Sequence, residues 1–222
     1  MATRPAGPLQ NHPDASSGVC SAGQEIASAL RLVVLGAGRM GTHHLAAAGR
    51  GTCMDPVGIL EREPLRHRDL AARTGLVVAS DLDRLVDLVA PHCAIVSTPD
   101  PTHLELADAC LRRGLHTLVE KPLSTSPADA AKLVERFERA GLVLGSGLVE
   151  RFNPAWTTLR RLLADGGSPV SEIRIVREGP PPRDTSSGPA FDLAVHDLDL
   201  LLRWSGDRPL RILEAKTSPD HL

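Results

Sequence analysis

The stretch "RLVVLGAGRMG" (31–41) constrains the fold of this chain more than any other. A β-branched, leucine-rich run leads directly into Gly36, Gly38 and Gly41, a GxGxxG spacing, and then into the amphipathic "MGTHHLAAAGR". A strand that turns at once into a helix needs one glycine for the tight turn. A second lets a ligand come close to the backbone, and a third lets helix and strand pack. The unpaired N–H groups and positive dipole end at such a helix start favour an anion. Gly36, Gly38, Arg39, Met40 and Gly41 are therefore the candidate pyrophosphate-binding turn.

The same rhythm continues through "PVGILE" (56–61), "PLRHRDLAARTG", "LVVAS", "DLDRLVDLVA", "HCAIVSTP" (92–99), "THLELADACLRRG" and "LHTLVEKP" (115–122). Strand and helix alternating in this way predict right-handed βαβ crossovers and an α/β, Rossmann-type parallel sheet with helices on both faces. Glu61 ends the second strand about 20 residues beyond Gly41, where a carboxylate binds adenosine ribose hydroxyls. That acid favours NAD, because it repels a 2′-phosphate. Arg62 and Arg66 stand near enough to hold such a phosphate, which leaves NADP open. An adenosyl-dependent methyltransferase also shares a glycine turn and an acid, so these residues alone do not decide the chemistry.

Residues 1–29, rich in Pro, Gly, Ala and Ser and without apolar periodicity, are expected to form a disordered tail. Residues 30–148 read as the NAD(P)-binding domain. They include a helix at 126–141 with Ser126 as N-cap, Pro127 behind it and Gly141 as the stop. "LVLGSGLVERF" reads as a further strand. From 149 to 222 the texture changes to a partial second domain. Its expected parts are the helix "NPAWTTLRRLLADGG", the strand "SEIRIVRE", a Pro-rich loop, the helix "FDLAVHDLDLLLRWSG" and the strand "LRILEA". Asp192 and His196, four residues apart, stack on one helix face.

Composition excludes several classes. The formal charge of −2, from 25 basic and 27 acidic residues, supplies no basic excess for a phosphate backbone, so nucleic acid is not expected as a partner. Cys20, Cys53, Cys93 and Cys110 form no CxxC pair and read as reduced thiols. No run reaches the eighteen or so apolar residues of a membrane span, and the N-terminus has no apolar signal core. These readings place the chain in the cytoplasm. "HDLD" lacks the further ligands of a metal site, so no metal is expected. "DTSSG" offers serines without a matched base, so hydrolase chemistry finds no support.

Three ordered motifs carry a resemblance. "STPDPTHLELADACLRRGLHTLVEKPLSTS" (97–126), "LVERFNPAW" (148–156) and "DLAVHDLDLL" (192–201), with the glycine turn, resemble the Gfo/Idh/MocA family of NAD(P)-dependent sugar oxidoreductases, and most of all its members acting on nucleotide-linked sugars, the UDP-N-acetylglucosamine 3-dehydrogenases among them. The resemblance implies a place for each motif. Thr98 and Pro99 would lie beside the nicotinamide ribose. Glu120 and Lys121 would form an EKP motif, often with a cis Lys-Pro bond, whose Lys reaches the reacting carbon. Asn153 would face the sugar, and Asp192 with His196 would form the DxxxH pair.

The chemistry agrees. Oxidising a secondary alcohol requires removal of the hydroxyl proton as hydride leaves the same carbon. His196 is the base by residue type, Lys121 the group that stabilises charge on the oxygen, and Asp192 the residue that orients the imidazole or binds a neighbouring hydroxyl. His43 and His44 read as packing or surface residues, and His103 as a brace for the "TPDPT" loop. Family members continue well past the DxxxH pair, so an incomplete second sheet is expected here, with exposed apolar surface and either a homo-oligomer or a partner chain to cover it. The alternative is a non-catalytic NAD-binding protein or a subunit that needs a partner.

Overall fold

Strands β1 (Leu30–Leu35), β2 (Met54–Leu60), β3 (Val77–Ala79), β4 (Cys93–Val96), β5 (His116–Val119) and β6 (Leu144–Ser146) form one parallel sheet in the order β3-β2-β1-β4-β5-β6. The computed structural model describes residues 29–51, 53–165, 170, 172–176, 194–206 and 210–214. The crossovers are α1 (Arg39–Ala48), α2 (His67–Thr74), α3 (Leu82–Val89), α4 (His103–Arg112) and α5 (Pro127–Arg139). This is the Rossmann-type α/β sheet that the sequence predicts.

Burial explains the continuous apolar runs. In β1, Leu32 and Val34 pack toward Leu45 and Ala48 of α1, while Val33 and Leu35 pack into the larger cluster on the opposite face. A strand buried on both faces cannot alternate with polar residues. The larger cluster draws Leu82, Leu85, Val86 and Val89 from α3, Ala107 and Cys110 from α4, and Leu133 and Phe137 from α5. The α3 set follows the i, i+3, i+4, i+7 spacing of one helix stripe, and each such burial is worth about 1.5–3 kcal/mol.

Helix limits follow local chemistry. Ser126 accepts the Asp129 N–H at 3.3 Å with Pro127 behind it, and Gly141 takes a positive φ of 67° just past the end of α5. Asp81 caps α3 by accepting the Arg84 N–H at 2.8 Å.

The chain winds outward in opposite directions from β1, so the crevice at the carboxyl ends of β1 and β4 is the topological switch point, where ligands bind in sheets of this kind. No helix among the described residues is long and apolar enough to cross a membrane.

Several expectations are corrected. The run 142–152 is not one strand: only Leu144–Ser146 pairs, after which Leu148 N–H bonds back to the Ser146 carbonyl and Val149–Phe152 forms a 3-10 turn. The described parts of "SEIRIVRE" (172–176) and "LRILEA" (210–214) join no sheet, and Ile173, Ile175, Val176, Leu210, Ile212 and Leu213 are exposed. Their β-type composition meets no neighbouring edge, and a strand without a ladder partner leaves its backbone groups to water. Two helices, α6 (Pro154–Asp165) and α7 (Val195–Ser205), are the regular elements described beyond Asn153. Cys53 is disulfide-bonded rather than a thiol, whereas Cys93 and Cys110 are free and buried. Residues 1–28, which include Cys20, and Asp192 lie outside the described residues.

Candidate cofactor and active site

The glycine turn is built by what lies against each glycine. Gly36 has a φ of +92°, and a Cβ there would come within 2.8 Å of Thr98 Cγ2 and 2.9 Å of the Ser97 carbonyl. At Gly41 a Cβ would stand 1.9 Å from the Gly36 carbonyl, so only glycine lets α1 begin this close to β1. Gly38 differs: its φ is an ordinary −73° and a Cβ would meet nothing within 4 Å. The space over Gly38 at the start of α1 is therefore open, and a helix start of this kind favours an anion. Arg39 and Met40 form the first turn of α1, the former exposed and the latter partly buried.

Glu61 follows β2 and is 8% exposed. Its carboxylate accepts from Arg66 Nη1 at 2.7 Å and from the Glu63 N–H at 3.2 Å, while Arg66 Nη2 donates to the Ala37 carbonyl at 3.0 Å. Arg66 thus bridges the acid to the glycine turn. Arg62 is exposed.

From β4 the chain enters the loop of Thr98 and Pro99. The Ser97 hydroxyl lies 3.1 Å from the Leu35 carbonyl and 3.0 Å from that of Gly36, which fastens this loop to the glycine turn. The Thr102 hydroxyl lies 2.7 Å from both Thr98 Oγ1 and the Pro99 carbonyl. His103, the first residue of α4, is 1% exposed. Its Nε2 is 2.8 Å from the Thr98 carbonyl and its Nδ1 2.7 Å from the Pro122 carbonyl.

Glu120 and Lys121 follow β5, and the Lys121–Pro122 peptide is cis. Glu120 is 7% exposed, accepts from His44 Nε2 at 2.7 Å, and takes the Lys121 N–H at 3.3 Å on its other oxygen. Burial works against its charge, but the His44 hydrogen bond and charge, together with the Lys121 N–H and ammonium, outweigh that, so its pKa lies below the usual 4.5. His44 is the residue that sequence reasoning missed. The signal was its place on α1, one helix turn from Gly41, on the side where the switch point opens.

The later candidates are set differently. His196 sits partly buried on α7. That helix is tied to the turn after β6 by a bidentate ion pair in which Arg151 Nε donates to Asp199 at 2.7 Å. The exposed Asn153 donates to Glu150 at 2.8 Å and accepts the Ala155 N–H at 3.0 Å, holding the start of α6. A separate groove between α4 and α5, lined by Leu104, Asp108, Lys132, Leu133 and Arg136, lies on the outer helix layer and holds none of the candidate residues.

Residues 30–148 match the family model GFO_IDH_MocA, described as an oxidoreductase family with an NAD-binding Rossmann fold. The chain is 29% identical over 184 residues to a UDP-N-acetylglucosamine 3-dehydrogenase of Acidithiobacillus ferrooxidans, covering 82% of this chain and 56% of that one. It is 34% identical over 195 residues to a myo-inositol dehydrogenase of Streptomyces leeuwenhoekii, covering 82% and 57%. The solved structure of GenD2 from gentamicin A biosynthesis, in complex with NAD, superposes with a TM-score of 0.73 at 27% identity, covering 83% of this chain and 56% of that one. The chain therefore spans a little over half the length of the curated relatives it matches.

Proposed function

We propose, because this chain belongs to the Gfo/Idh/MocA oxidoreductase family with its NAD-binding Rossmann fold, that it is an NAD-dependent dehydrogenase acting on a secondary alcohol of a sugar, an inositol or a nucleotide sugar. The observation that carries this reading is the His44–Glu120 contact. Through it the helix that opens at the glycine turn meets the strand end that presents Lys121, so the cofactor cradle and the reactive lysine share one crevice.

NAD, when bound, supplies the hydride acceptor for the alcohol carbon. Gly36, Gly38, Arg39, Met40 and Gly41 would hold its phosphates, Glu61 its adenosine ribose, and Thr98 and Pro99 its nicotinamide side, with Arg62 and Arg66 at the point where a 2′-phosphate would be accepted or refused. Lys121 hydrogen-bonds the reacting oxygen and stabilises the negative charge that develops there. His196 takes the hydroxyl proton, Asp192 orients the imidazole or holds a neighbouring hydroxyl, and Asn153 faces the sugar.

In this reading residues 30–148 are the cofactor domain and 149–222 part of a substrate domain. The exposed Leu159 and Leu162 on α6, and Leu198 and Leu202 on α7, support assembly with a second copy or a completing chain. Dependence on NAD and sugar metabolites places the protein in the cytoplasm. The test is a turnover screen of myo-inositol and UDP-N-acetylglucosamine with NAD. Lys121→Ala and His196→Ala should each abolish turnover while keeping cofactor affinity, and full activity in both would overturn the assignment.

A further inference from the structure

We infer that His44 and His103 are positioning residues for Lys121, gripping the residues on either side of it from two different helices. The inference rests on the role given to Lys121 above. His44 reaches from α1 to Glu120, the residue before Lys121, at 2.7 Å. His103 reaches from the start of α4 to the carbonyl of Pro122, the residue after it, also at 2.7 Å.

Each grip has a second anchor. Glu120 uses its other oxygen on the Lys121 N–H at 3.3 Å, and that oxygen lies against Gly147, where a Cβ would come within 2.8 Å. The opposite ring nitrogen of His103 lies 2.8 Å from the Thr98 carbonyl, so the Lys121 turn and the loop after β4 converge on one buried ring, whose neutral form donates to one of the two carbonyls.

A lysine is a point charge on a flexible four-carbon stem. Its reach is therefore set by the backbone it hangs from, and an error near 1 Å at a reacting centre costs about a hundredfold in rate. The sheet fixes the chain as far as Glu120, whose N–H donates to the Val96 carbonyl at 2.9 Å, and the two imidazoles carry that order past Lys121. Histidine suits the task because its ring is rigid and offers nitrogens on two edges, which a hydroxyl cannot do across the same span.

The experiment reads Lys121 directly. The chain has three lysines, Lys121, Lys132 and Lys216, so reductive methylation with 13C-formaldehyde, which keeps their charge, gives three lysine methyl signals by NMR beside that of the α-amino group. Lys132→Arg and Lys216→Arg assign them. His44→Ala and His103→Ala should each displace the Lys121 signal and leave the other two lysine signals in place. The glutamine variants, which retain a donor N–H, should return the signal toward its original position. Should an alanine variant not fold, His44→Asn or His103→Asn, too short to reach, takes its place with the same expected displacement. An unmoved Lys121 signal, or all three signals moving together, would overturn the proposal. The signals are read without cofactor, so a wild-type chain that bound no NADH would defeat the functional reading and leave this test intact.

Discussion

His44 Nε2 stands 2.7 Å from Glu120 Oε1 and so joins the first helix of the fold to the end of its fifth strand. One end of that contact belongs to the helix that begins at the glycine turn, the other to the residue that precedes Lys121. Parts of the chain far apart in sequence are thereby held together.

The contact predicts an acid limit to stability. Glu120 has a folded-state pKa below its usual 4.5, so it contributes stability that is fully present above about that pH and is lost as pH falls through the depressed value. Urea unfolding between pH 7 and pH 3 should show the wild type losing more stability than Glu120→Gln over this window. Parallel curves for the two proteins would contradict it.

Gly41→Ala should destabilise the fold itself. The added Cβ would lie 1.9 Å from the Gly36 carbonyl, a clash with backbone that cannot turn aside, and overpacking of this kind costs about 1–3 kcal/mol or more. Thermal unfolding checks it, and a melting temperature equal to that of the wild type would show that α1 does not sit this close to β1.

Cys93 and Cys110 should resist thiol reagents in the native state. Burial pushes the Cys110 thiol up to about 12, against a small opposing pull from its hydrogen bond with Thr117, and burial raises Cys93 as well. Thiolate is the reactive form. In a Cys20→Ser, Cys53→Ser background, labelling by an aromatic disulfide should be slow until denaturant is added. Rapid labelling of the folded chain would count against the packing described for β4 and α4.

Arg151→Ala should loosen α7 without touching the sheet. The Arg151–Asp199 ion pair is partly exposed, so the loss of stability is modest, about 1 kcal/mol. Amide exchange should nevertheless speed up across Val195–Ser205 while β1 and β4 keep their protection. Unchanged exchange in α7 would mean that the ion pair does not hold the helix bearing His196.

The sheet was legible because its signal is local and repeated. Each βα unit carries its own apolar strand and helix stripe, so "RLVVLGAGRMG" and Glu61 could be placed without knowledge of the remainder. Ser126 and Gly141 likewise act through their own backbone neighbours. What could not be read was the contact between units. His44 looks like any polar helix residue until β5 is placed beside α1, and His103 becomes a double anchor only when Thr98 and Pro122 are seen to converge on it. The segments 172–176 and 210–214 failed for the opposite reason: their residues favour strands, but a strand needs a partner edge, and β-propensity cannot report whether one is present.

Binding of NAD at the glycine turn is tested by calorimetric titration of the chain with NADH, with wild type and Gly38→Val measured side by side. A Cβ at Gly38 meets open space, so the valine variant should keep its stability within the small range of surface substitutions, about 0.5 kcal/mol, yet fill the cradle. The wild type should bind with micromolar affinity, and a fully folded Gly38→Val should lose that binding. Equal binding by both proteins, or none by a folded wild type, would contradict NAD binding at the glycine turn.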